Sequence, residues 1–180
     1  MSRSSGVHIV RSLTWEVRDA DIVTFCDACL SSMGFWYPNL NSLFFSVAPL
    51  DWLPLDTPRT EWILPFEFLC VVSALRHASF HAAPDSKVII FTDSQNTVDI
   101  FGSLRATPRF NTLLRYAVDI IIDCSLHVRV LHIAGEHNVI ADHLSRSAFS
   151  QAIACAGTHP CPLTIDIFVP PPVRLGLSGC

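Results

Sequence analysis

Four carboxylates sit where acids are uncommon, and their positions suggest chemistry. Asp93 follows the apolar run Lys87-Val-Ile-Ile-Phe-Thr92 and precedes the polar helix-start residues Ser94, Gln95 and Asn96. Asp142 falls just inside the helix pattern that opens after a break at Gly135, with Ile140 and Leu144 beside it. Asp27 closes an alternating run and shares a face with Val23 and Phe25. Glu67 shares a helical stripe with Cys70, Val71 and Ala74. An acid on an apolar face loses hydration and needs something positive to offset the loss. No lysine or arginine is spaced to pair with all of them. Hard divalent cations would serve, because Mg²⁺ takes oxygen ligands and keeps part of its water. A lone aspartate at a strand end is also an ordinary turn or cap residue. Spacing alone leaves both readings open.

The elements that must position these acids are legible in outline. Residues 21–27 read as a strand, and 43–47 as another, with a polar break at Ser31-Ser32-Met33-Gly34 and the aromatic run Phe35-Trp36-Tyr37 between them. Antiparallel pairing by short turns fits residues 21–48. The segment 49–58 carries three prolines and reads as a connection. Helical spacing covers 65–80, 94–104, 108–125 and 138–146, with Ser94 and Asn138 in N-cap positions. Residues 87–92 and 127–133 read as further strands. Antiparallel strands followed by alternating β and α elements predict an α/β fold. Its sheet is mixed and five-stranded, three antiparallel strands and then parallel ones, flanked by helices. Residues 1–20 are expected to be an N-terminal extension, 21–147 the domain, and 148–180, with Pro170-Pro171-Pro172, a C-terminal tail or linker.

Bulk properties narrow the class. Half of the 180 residues are hydrophobic and 16% are charged, which suits one domain with a real core and excludes a disordered chain. The apolar stretches are interrupted, by Glu67 in one and by Asp123 and Arg129 in another, so no membrane partner is expected. Seven scattered cysteines and no apolar leader point to reduced thiols and an intracellular location, cytoplasm or nucleus. Cys26 and Cys29 form a C-x-x-C without a second pair, and Cys155, His159 and Cys161 are not expected to bind metal. The net charge of −4 counts against strong autonomous binding to nucleic acid. Arg105, Arg109 and Arg115 form the one local basic cluster.

Motifs sharpen the reading. Thr92-Asp93-Ser94-Gln95 resembles the corresponding block of ribonuclease H domains in reverse transcriptases. His132-Ile-Ala-Gly-Glu-His-Asn138-Val-Ile-Ala-Asp142-His-Leu-Ser-Arg146 resembles the end of that domain in gypsy-like LTR and DIRS-like retrotransposons. Pro65-Phe-Glu67-Phe-Leu-Cys is similar to the family's Glu-bearing helix, and Phe25-Cys-Asp27-Ala-Cys-Leu-Ser-Ser-Met-Gly34 to its first strand. The resemblance covers about residues 21–147 and keeps the family's order Asp, Glu, Asp, Asp. It implies a ribonuclease H-like fold and hydrolysis of the RNA strand of an RNA–DNA hybrid. Asp27, Glu67, Asp93 and Asp142 would be catalytic residues holding two Mg²⁺ ions, with Mn²⁺ as a substitute. His132 would assist product or proton traffic, or else be a strand-end histidine bonded to backbone. Ser94, Gln95, Asn96, Arg105 and Arg109 would face the hybrid, and the partner would be the polymerase domain of the same element. A catalytically idle module of the same fold is the alternative.

Overall fold

The computed structural model describes residues 15–53, 58, 61–157 and 163–173. Strands β1 (Ile22–Ala28), β2 (Ser32–Tyr37) and β3 (Ser42–Val47) form an antiparallel meander. Helix α1 (Ile63–Ser79) then leads to β4 (Lys87–Thr92), α2 (Gln95–Ser103), α3 (Asn111–Asp123) and β5 (His127–His132). Helices α4 (Val139–Ser145) and α5 (Phe149–Ala156) follow, and a short β6 (Ile165–Ile167) ends the order. The sheet runs β5-β4-β1-β2-β3-β6, with β4 parallel to β1, β5 parallel to β4, and β6 parallel to β3.

Alternation along the strands sorts the side chains onto two faces. Cys26 of β1, Met33, Phe35 and Tyr37 of β2, and Phe44 of β3 turn to the main core with Phe66, Leu69, Cys70 and Leu75 of α1. Helix α3 packs on the outside of α1 and contributes Leu113 and Ala117. On the other face Trp36 and Leu43 meet Leu144 of α4 and Ala152 of α5. The sheet is therefore covered by α1 on one side and by α4 and α5 on the other.

Three expectations change. The sheet has six strands, because Ile165–Ile167 pairs with β3. A three-residue strand among prolines carries no alternation to read. Residues 149–156 form α5, so the segment expected to be a tail supplies both a helix and a strand. Gly34 is not a turn residue but lies within β2, which begins at Ser32. His159, Cys161 and most of the N-terminal extension lie outside the described residues.

Candidate carboxylate site

Parallel pairing brings the acids together. β1 and β4 run side by side with Cys26 opposite Thr92, so the next residues, Asp27 and Asp93, emerge at the same carboxyl edge. Open α/β sheets bind ligands at that edge. Gly34 faces Asp27 across the β1–β2 pair. A Cβ on Gly34 would stand 2.9 Å from the backbone nitrogen of Ser145 and closer still to the Leu144 side chain. A residue without a side chain there is what lets α4 descend onto the sheet, and Asp142 descends with it.

Further contacts fix the approach. The Asn138 side-chain amide donates to the Cys26 carbonyl at 2.9 Å. Asn138 precedes α4, but its side chain makes no cap bond to the helix, contrary to the sequence expectation. It crosses to β1 instead, one residue before Asp27. The Ser145 hydroxyl donates to Asp27 Oδ2, and the Ser145 carbonyl accepts from Ser32 Oγ at 2.5 Å. From the other face, Cys70 Sγ donates to the Asp27 and Gly34 carbonyls at 3.3 Å each. Cys70 lies one turn beyond Glu67, so this contact aims Glu67 toward the same edge.

The electrostatics follow. Asp27 is 7% exposed, and its carboxyl is pushed up to about 7. Burial is the main cause; the Ser145 hydrogen bond opposes it, and the charges of Asp93 and Asp142 reinforce it. Glu67 is raised by burial, against its hydrogen bond with Ser94, and the Asp93 charge adds to the rise. Asp93 Oδ1 is buried with no hydrogen-bond partner among the described residues. Asp142 pairs with Arg146, Oδ1 to Nε 2.6 Å, on the exposed rim.

This is a cluster of acids with one buried, unpartnered oxygen and two carboxyls driven toward protonation. The donors are hard oxygens, which fits a divalent cation such as Mg²⁺. Among the described residues, no group of three His, Cys, Asp or Glu side chains could hold an ion. Mg²⁺ asks for less, since it is ordinarily bound by one or two carboxylates with waters and substrate phosphates. Asp27–Asp93, Asp27–Asp142 and Glu67–Asp93 each feel the other's charge, and they are the pairs that would hold it.

The remaining candidate residues divide. His132 is exposed at the end of β5, opposite Thr92 and so beside the Asp93 corner. Ser94 is 5% exposed and caps α2 by accepting from the Thr97 backbone N–H, which makes it a structural residue at the site's floor. Gln95 is exposed and donates to Asp99 Oδ1 at 2.8 Å, and Asn96 is exposed beside it. Arg105 is exposed after α2, whereas Arg109 lies 3.5 Å from Glu61. Cys26 is fully buried and Cys29 half-buried, both as free thiols. Ser145, Arg146, Asn138 and Gly34 were not singled out as site residues by sequence. The signal was present, because three of them belong to the closing motif and the fourth to the block around Asp27.

No protein-family model and no curated protein matches the chain. Solved structures do match in shape. LC11-RNase H1, solved in complex with RNA/DNA hybrid, superposes with a TM-score of 0.58 at 16% identity, covering 73% of this chain and 99% of that one. RNase H1 from the halophilic archaeon Halobacterium salinarum gives 0.54 at 12% identity, covering 72% and 97%. The N-terminal RNase H domain of Rv2228c from Mycobacterium tuberculosis gives 0.52 at 12% identity, covering 76% and 100%. The chain therefore has the ribonuclease H fold. Among the described residues, no helix is long and apolar enough to cross a membrane.

Proposed function

We propose that this chain hydrolyses the RNA strand of RNA–DNA hybrids, as the ribonuclease H portion of a retroelement reverse transcriptase polyprotein. The observation that carries the reading is the chain of neighbouring acids Asp142–Asp27–Asp93–Glu67, each within reach of the next one's charge, with Asp93 Oδ1 buried and without a partner. The fold likeness supports it, and so does the resemblance of the closing motif.

Two Mg²⁺ ions bound at these acids, or Mn²⁺ in their place, would activate a water and neutralise charge on the phosphate. The chain's own residues prepare the site. Ser145 holds the Asp27 carboxylate in one orientation, and Asn138 locks α4 against β1 so that Asp142 faces it. Asp93 keeps one buried oxygen without a partner, and Glu67 enters from α1. In the reaction a water oxygen attacks phosphorus and the bond to the 3′ oxygen breaks. The ends formed are a 3′-hydroxyl and a 5′-phosphate. His132, exposed beside the Asp93 corner, would pass protons or ease product release. Gln95 and Asn96 are exposed where 2′-hydroxyl contacts would select the hybrid. Arg105 and Arg109 would lie further out along it. With a net charge of −4, the domain would depend on the linked polymerase domain, inside the cell, to bring it substrate.

One observation favours an idle module instead: Arg146 and Ser145 already engage Asp142 and Asp27. Labelled RNA–DNA hybrid, double-stranded RNA and double-stranded DNA, each incubated with the protein and Mg²⁺, separate the two. The active reading expects cleavage of hybrid RNA alone, leaving 5′-phosphate ends. No cleavage at high protein concentration leaves the idle module.

A further inference from the structure

The end of α4 and its C-cap address two acids with consecutive residues. Ser145 bonds Asp27, and Arg146 pairs with Asp142. Their settings differ. Ser145 is fully buried, whereas the Arg146 side chain is 65% exposed and that of Asp142 is 36% exposed. Among the described residues, Arg146 is the one cation in a salt bridge with any of the four acids. Its charge reaches further than its partner. It opposes the rise of Asp27, and contact with Asp142 holds its own guanidinium more firmly charged.

We infer that Arg146 is an internal counter-ion that positions Asp142 when no divalent cation is bound and yields Asp142 when one binds. This rests on the reading of the acids as a cation site. Asp27 and Asp142 repel one another, and a guanidinium at the C-cap of the helix that carries Asp142 relieves that repulsion. The same guanidinium blocks a ligand oxygen and repels an arriving cation. An exposed ion pair is weak, because water screens it and two side chains must be ordered to make it. Arg146 can therefore leave for solvent at little cost, which a buried partner could not do. The arrangement makes Arg146 a positioning residue that sets how much cation is needed, with no contact to substrate required.

Mn²⁺ binding to the whole chain, read from the electron paramagnetic resonance of the free ion, tests this without any cleavage assay. The proteins are wild type, Arg146→Gln, Arg146→Met, Arg146→Lys and Asp142→Asn, each checked by circular dichroism. Arg146→Gln and Arg146→Met are expected to bind Mn²⁺ roughly two- to tenfold more tightly than wild type. Arg146→Lys restores the charge and should stay within about twofold of wild type. Asp142→Asn should bind more weakly. A purely structural arginine has the opposite signature, because its loss loosens α4 and weakens binding. Equal or weaker binding by folded Arg146→Gln and Arg146→Met overturns the counter-ion and leaves the cation site standing. Absence of saturable binding in wild type and all variants overturns both.

Discussion

Ser145 and Asp27, 118 residues apart in the chain, are joined by a buried hydrogen bond from the serine hydroxyl to the aspartate carboxylate. Through it the last turn of α4 grips the end of β1, and two acids that are distant in sequence, Asp27 and Asp142, come to share one edge of the sheet.

The bond depends on how closely α4 approaches β2. A methyl at residue 34 would collide with Leu144 and the Ser145 backbone. Gly34→Ala should therefore cost about 1–3 kcal/mol, the usual range for overpacking a tight interior. Urea denaturation checks the loss. Hybrid cleavage should fall further than stability alone explains, because Asp142 moves with the helix.

Asn138 offers a second lever on the same interface. Asn138 is 2% exposed, and its amide donates to the Cys26 carbonyl. Asn138→Ala leaves that carbonyl buried without its partner, at about 1–3 kcal/mol. Thermal denaturation should show the drop, and Asn138→Asp should not rescue it, since a carboxylate cannot donate.

The four acids of the candidate site stand out in residue order. Asp93 announced itself because a run of β-branched residues ended in an acid and then a capping serine. Asp27 did so by alternation with Val23 and Phe25. Glu67 was visible as an acid among Cys70, Val71 and Ala74. What failed to show was which polar side chains act across the chain rather than along it. Asn138 has the composition of a cap, yet its amide reaches β1, and nothing local distinguishes the two uses. Gly34, at the end of the polar break Ser31-Ser32-Met33, reads as a turn, and only the approach of Leu144 explains it as a strand residue. β6 escaped because three residues cannot display a period, and its pairing with β3 is a tertiary contact.

Asp27 sets a pH dependence. Its carboxyl lies near 7 in the folded protein against an ordinary 3.8, so between those values the folded state keeps a proton that the unfolded state has released. That stabilisation is complete below about pH 4 and is lost as the pH rises through about 7. Without divalent cation, the stability attributable to Asp27 should fall across this window by on the order of 4 kcal/mol. Asp27→Asn should flatten the profile and raise the melting temperature at pH 8. Denaturation at a series of pH values in chelator tests both.

A cation reverses the burden, because it favours the ionised carboxylates. At pH 8, Mg²⁺ at ten times its dissociation constant adds about 1.4 kcal/mol. For a chain of this size the melting temperature should rise by roughly 3 to 5 °C. Asp27→Asn should lose most of that increment. Thermal scans with and without Mg²⁺ read it directly.

The most direct test of the account is the single-turnover rate at which wild type and Asp93→Asn cut labelled RNA annealed to DNA in Mg²⁺. Asp93 carries the unpartnered buried oxygen, and an amide in its place keeps the shape while removing the charge. Wild type should show Mg²⁺-dependent, hybrid-specific cleavage, and the variant a fall of about a hundredfold or more. Equal rates for the two proteins, or no cleavage by wild type at high concentration, would contradict it.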